Sequence, residues 1–191
     1  MARPFTLYLV RHGEVHNPDG IIYGRIPGFG LSERGQDQLR ASGRALAALP
    51  PLDRLYASPM QRAQESVAIL AAALDMDVLT DELLIETDVS GYQGQTFDVL
   101  PKPYITEEPV HEGLECASSI RRRLLQWVEA VRSTGARRVA AVSHRDPIAV
   151  AVLHWQGRDL DELPGMDLPP GGVYEVELEE GAAPRVRQVA T

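Results

Sequence analysis

Residues 5–14 read FTLYLVRHGE: an apolar run, then an arginine, a histidine and a glycine. An uninterrupted apolar run of this length is the pattern of a strand covered on both faces, as in a parallel sheet. It is too short for a signal-peptide core, and Arg11 ends it well before membrane-spanning length. A second run, RRVAAVSH at 137–144, has the same character and also ends on a histidine. Amphipathic helices are predicted between the two. Leu39, Ser42, Leu46 and Leu49 form one stripe, and Met60, Ala63, Val67, Leu70 and Leu74 form another. A third runs through Ala117, Ile120, Leu124, Val128 and Val131, with Arg121, Arg122, Glu129 and Arg132 off the stripe. Near the end, VYEVELEE (173–180) and PRVRQVA (184–190) alternate about GAA and predict an antiparallel hairpin with one wet face, where Glu175 and Glu177 face Arg187.

These elements predict an α/β fold: a three-layer α/β/α sandwich around a mostly parallel sheet with an antiparallel edge. The length of 191 residues suits a single domain over 1–191. Residues 90–113, rich in proline and glycine and without a clear period, are expected to form a lid or substrate-specificity connection.

The formal net charge of −8 disfavours a sequence-independent grip on nucleic acid or an anionic membrane, which needs excess Lys and Arg. An anionic small molecule remains compatible if positive charge is concentrated locally. Cys116 is the lone cysteine, so neither an intrachain disulfide nor a cysteine-built zinc site is available, and a reducing, cytoplasmic setting is expected.

Ligands of open α/β sheets bind beyond the carboxyl ends of the strands, where Arg11 and His12 fall. LYASPMQR (55–62) reads as a strand running into a helix, with Ser58 as N-cap, Pro59 at the first helical position, Gln61 completing a capping box and Arg62 in the first turn. AVSHRDPIAV repeats the device, with Asp146 as N-cap, Pro147 behind it and His144 at the strand tip. Arg11, His12, Arg62 and His144 thus converge near helix starts, which suits a phosphate site. His16, His111 and His154 are read as structural, and Arg121–Arg123 as a solvated helix face.

The ordered set LVRHGE, LSERGQ, LYASPMQRAQES and AVSH resembles the histidine phosphatase (phosphoglycerate mutase-like) superfamily from about Leu7 to Ile148. The resemblance implies that His12 accepts the phosphoryl group and that Arg11, Arg62 and His144 bind its oxygens, with Asn17 as a further phosphate contact. It implies Glu86, in IETDVSGYQG, as proton donor, with Asp88 and Glu82 as competing carboxylates. A neutral imidazole is nucleophilic near pH 7, the arginines supply permanent forked charge, and a protonated His144 would add a third cation. The chain departs from the family pattern at Arg145, where glycine is common after Ser-His, at Tyr92-Gln93-Gly94, and in EGLECASS (112–119).

The expected activity is hydrolysis of a small phosphomonoester with no metal and no cofactor. The alternatives are a mutase-type phosphotransferase and a catalytically weak phosphate-binding or regulatory protein. A metal-dependent hydrolase drawn on His12, Glu14 and His16 lacks a ligand motif. The expected partner is a small phosphorylated metabolite, without nucleic acid or membrane, and a homodimer is compatible.

Overall fold

A computed structural model describes residues 4–191; residues 1–3 of the expected domain lie outside the described part. Its strands are β1 (Phe5–Arg11), β2 (Arg54–Ala57), β3 (Val78–Thr80), β4 (Arg138–Ser143), β5 (Val173–Leu178) and β6 (Arg185–Val189). Its α-helices are α1 (Glu33–Ala47), α2 (Gln61–Leu74), α3 (Ala117–Ser133) and α4 (Arg145–Gln156). Short 3-10 turns occupy Glu82–Leu84, Phe97–Val99 and Leu160–Gly165.

Among these residues the strands form one sheet in the order β3-β2-β4-β1-β5-β6. β3, β2, β4 and β1 are parallel, and β5 and β6 complete the sheet in antiparallel pairing. The expected fold class is therefore the observed one.

Side chains alternate across the sheet, so each apolar run feeds two cores. Leu7, Leu9, Tyr56, Val139 and Ala141 join Ile120, Leu124, Trp127 and Val128 of α3 and the body of α4. Tyr8, Val10, Leu55, Ala57, Ala140 and Val142 face Leu39 and Leu46 of α1 and Ala63, Val67 and Leu70 of α2. This division explains why β1 from Leu7 to Val10 and β4 from Val139 to Val142 are apolar at every position. α4 carries no polar stripe along its middle because the sheet, α3 and the 160–165 turn cover it. The hairpin pairs as charge complementarity requires: Arg187 lies 2.7 Å from Glu175 and Arg185 lies 2.9 Å from Glu177.

The register places the carboxyl ends of β1, β4 and β2 side by side, with Arg11 opposite Ser143 and Ala57 opposite Val142. His12, Ser58 and His144 each follow one of these ends. A glycine contact locks this corner: a Cβ on Gly13 would lie 2.4 Å from the Gly35 carbonyl, and one on Gly35 would lie 2.1 Å from the Glu14 carbonyl. Only two glycines let the start of α1 approach the turn after β1 so closely. Ser32 caps α1 by accepting from Gly35 N and donates to Glu14.

No helix of the described residues is long and apolar enough to cross a membrane.

Candidate active site

The structure brings Arg11, His12, Arg62, Glu86 and His144 together at the carboxyl edge of the sheet. They stand in and beneath a cleft of about 200 Å³. The backbone of His12 donates to the Ser143 carbonyl, which ties the tip of β1 to β4. Its side chain is buried, and Nδ1 lies 2.7 Å from the Gly13 carbonyl. A carbonyl only accepts, so Nδ1 carries the hydrogen and Nε2 keeps its lone pair. Burial first, then the charges of Arg62 and Arg11, push the His12 pKa down to about 3. The ring is therefore a neutral, tautomer-fixed base throughout the neutral range.

The second histidine is buried next to the first, with ring centroids 5.2 Å apart. His144 Nε2 meets Ser58 Oγ at 2.7 Å, whereas Nδ1 is buried without a hydrogen-bond partner, 3.5 Å from Glu86 Oε2. Burial and the Arg62 charge hold its pKa well below the usual histidine value. The expectation of a protonated His144 is thus corrected: in the free site it is a neutral donor or acceptor, because it shares a buried corner with two arginines.

Arg62, from the first turn of α2, is 1% exposed. Its guanidinium donates to the Gly24 carbonyl at 2.8 Å, lies 3.6 Å from Glu86 Oε2 and stacks over Tyr23 at 4.7 Å. Arg11 donates to the Leu168 carbonyl at 2.6 Å. The Nε–H of each of these two arginines is buried without a partner among the described residues. With His144 Nδ1 they make three unsatisfied polar nitrogens in this corner, which an oxyanion would satisfy. A net charge of −8 on the chain therefore coexists with a locally positive cleft.

Glu86 follows the turn Glu82–Leu84, and its carbonyl accepts two bonds from Arg25. Arg25 is held in turn by Glu115, which also pairs with Arg123 at 2.9 Å. The Glu86 carboxylate accepts from Thr87 N–H, and its pKa is pushed up to about 7 by burial and by the charge of Asp146, against the opposing pull of Arg62. Of the competing carboxylates, Glu82 is exposed, while Asp88 caps Ser90 and faces Arg25, outside the cleft lining.

One nitrogen each from His12 and His144 and one Glu86 oxygen lie within 4.8 Å of one another, close enough to surround a cation. The donor set fits an anion better, because Arg62 already stands beside that same carboxylate and Arg11 beside His12. The alternative trio His12, Glu14 and His16 is not assembled: Glu14 pairs with Ser32 and Arg34, and His16 is exposed.

Several expectations need correction. Asn17 does not line the cleft; its amide exchanges hydrogen bonds with the Ile21 backbone and closes a loop. Ser58 is not the helix cap, since α2 starts at Gln61 with Met60 as N-cap, and the Ser58 hydroxyl is drawn to His144. Asp146 is likewise not a cap: α4 begins at Arg145 behind His144, and Asp146 accepts from Tyr104 at 2.8 Å. Arg123 is not part of a solvated face; it is 13% exposed, bound to Glu115 and to the Leu83 carbonyl. Arg145 neither fills the phosphoryl end nor stands free, for it pairs with Asp146 and donates to the Leu163 carbonyl.

Sequence reasoning missed Tyr23, Thr87, Tyr104 and Asp146 as cleft residues. The prolines and glycines of 90–113 gave the expectation of a lid or specificity connection, but nothing local tells which of its side chains line the cleft. Phe97, Leu100 and Tyr104 do.

The profile of the histidine phosphatase superfamily (branch 1) matches residues 7–190. An uncharacterized protein of Mycobacterium tuberculosis is 37% identical over 175 residues, covering 84% of this chain and 83% of the relative. A 2,3-bisphosphoglycerate-dependent phosphoglycerate mutase of Thermoplasma acidophilum is 30% identical over 182 residues, covering 91% and 87%. The solved structure of a mycobacterial glucosyl-3-phosphoglycerate phosphatase shares the fold with a TM-score of 0.81, at 21% identity and 97% coverage of both chains. By the profile match over nearly its whole length, the chain belongs to the histidine phosphatase superfamily.

Proposed function

We propose that this chain is a phosphomonoesterase that works through a phosphohistidine on His12 and needs no metal ion. The observation that carries this reading is the pairing of a neutral His12, its tautomer set by the Gly13 carbonyl, with the unpartnered Nε–H groups of Arg11 and Arg62. Nε2 attacks the phosphorus, the P–O ester bond breaks, and Glu86 gives its proton to the departing oxygen. Arg11, Arg62 and His144 hold the equatorial oxygens, where charge accumulates. In the second half-reaction water attacks the phosphorus, the Glu86 carboxylate takes its proton, and the P–N bond returns its electron pair to Nε2. A pKa of about 7 lets Glu86 serve in both protonation states.

Hydrolysis rather than transfer is supported by the open rim of the cleft, where Phe97 is 55% exposed. The mutase relative keeps phosphotransfer as the second reading. The substrate is a small phosphorylated metabolite, and a cytoplasmic setting accords with a buried, unpaired Cys116.

The test is release of phosphate from p-nitrophenyl phosphate and a panel of metabolite monoesters in the presence of chelator, by wild type and His12→Ala. Expected is chelator-resistant turnover with an acid-labile phosphoenzyme in the wild type, and neither in the variant. Normal turnover by His12→Ala overturns the proposal. A phosphoenzyme that persists in water until an acceptor alcohol is added favours the transferase.

A further inference from the structure

The polar groups of the cleft fall into two sets. At the phosphoryl end, nitrogens of Arg11, Arg62 and His144 are buried without partners. Along the walls the formal charges are already matched. Arg145 Nη1 lies 3.0 Å from one Asp146 oxygen, and its Nη2 donates to the Leu163 carbonyl at 3.1 Å. The other Asp146 oxygen accepts from the Tyr104 hydroxyl at 2.8 Å. The rest of the wall carries no further formal charge: Ile22, Val89, Phe97 and Leu100 are apolar, and Tyr23 and Thr87 add neutral side chains.

We infer, on the basis of the phosphoryl site proposed above, that the cleft selects phosphomonoesters of an uncharged, apolar alcohol, and that the Arg145–Asp146–Tyr104 chain is the element that refuses a second charged group. A carboxylate or second phosphate on the alcohol meets Arg145 with its charge already offset by Asp146 and gains less from it than from an unmatched cation. An ammonium group meets at Asp146 a carboxylate already offset by Arg145 and already bonded by Tyr104. The Asp146 side chain is 14% exposed and that of Arg145 27%, so parting them leaves a poorly hydrated charge behind.

An aryl or short alkyl group meets no such obstacle and covers Phe97, a large apolar side chain left more than half exposed. A cleft of about 200 Å³ is smaller than the roughly 300–1,000 Å³ of drug-sized sites, so the alcohol is about one ring or a short chain. Thr87 Oγ1, buried and without a partner, admits one hydroxyl on it.

Binding of non-hydrolysable phosphonates tests this without depending on turnover. Calorimetry on the wild type compares orthophosphate, benzylphosphonate and phosphonoacetate. Benzylphosphonate is expected to bind about tenfold or more tighter than phosphonoacetate, a difference set by the apolar wall and the matched charges. Phe97→Ala is expected to shrink that ratio to about threefold or less by removing the apolar surface. Asp146→Asn, which strips Arg145 of its counter-charge while keeping an acceptor for Tyr104, is expected to move the ratio toward phosphonoacetate by about tenfold. Phosphonoacetate binding as tightly as benzylphosphonate in the wild type overturns the inference and leaves the phosphatase reading intact. A ratio unmoved by either substitution overturns the assignment of the wall. Failure of orthophosphate and both phosphonates to bind removes the phosphoryl site itself, and the inference with it.

Discussion

Glu86→Gln keeps the shape of the side chain and removes its proton chemistry. The native carboxyl has a pKa of about 7, raised by burial and by Asp146 and held back by Arg62, so near pH 7 about half the molecules carry the proton. A positioned general acid contributes about 10²- to 10⁴-fold, or about 2.7–5.4 kcal/mol of barrier. Its worth depends on the leaving group. An alkoxide needs the proton, whereas p-nitrophenolate departs nearly unaided. The variant is therefore expected to lose about 100- to 10,000-fold in kcat/KM on an alkyl phosphomonoester and less than about tenfold on p-nitrophenyl phosphate. The pH profile carries the sign. In the wild type, kcat/KM on the alkyl ester falls above pH 7 as the protonated fraction disappears; in the variant that limb is absent. Steady-state kinetics on both esters from pH 5 to 9 measures both effects. Equal losses on the two substrates, or a surviving alkaline limb in the variant, would refute Glu86 as the acid.

Arg62→Lys tests the buried fork: a lysine cannot both reach the Gly24 carbonyl and present Nε–H to a phosphoryl oxygen, so kcat/KM is expected to fall about 10²- to 10³-fold with weaker orthophosphate binding. Unchanged inhibition by orthophosphate would remove Arg62 from the anion site. Gly13→Ala drives a Cβ to 2.4 Å from the Gly35 carbonyl and 2.6 Å from Leu39, and urea unfolding is expected to show a loss of about 1–3 kcal/mol. Wild-type stability in that variant would mean that the α1 contact yields freely. Glu86 also predicts a stability trend. Its folded pKa of about 7 lies above the ordinary 4.5, so the native state retains a proton that the unfolded chain has lost between those values, and stability falls as pH rises through that window. The advantage of Glu86→Gln over wild type in urea is expected to grow by up to about 3 kcal/mol from pH 4.5 to pH 8; a flat difference would contradict the burial argument.

The layers were legible because they rest on local periodicity, whereas the strand order and the short edge strand β3 were not. FTLYLV and VAAV are apolar at consecutive positions because both faces of their strands are covered, and the stripes of α1, α2 and α3 repeat at helical spacing for the same reason. Helix starts were less legible. Ser58 and Asp146 have capping chemistry, but each is claimed by a residue far along the chain, His144 or Tyr104, and the helices begin elsewhere. Arg123 misled in the same way: lying off the apolar stripe it was expected in solvent, yet it is largely covered and bound to Glu115.

The sequence by itself determined the α/β class, the strand ends on which Arg11, His12 and His144 sit, and the helix turn that carries Arg62. Each of these depends on neighbours within one or two turns of chain. Only the tertiary structure decided which carboxylate meets the histidines, which tautomer His12 holds, that His144 is neutral, and that Arg145 is bound to Asp146. The carboxylate and the neutral His144 depend on burial and on partners 40 or more residues apart, such as Arg25 with Glu86; the His12–Gly13 and Arg145–Asp146 pairs are adjacent in sequence, but packing sets the direction in which each group turns. Desolvation acts on a site only after the layers have closed over it, and no local pattern of residues records how much water is left.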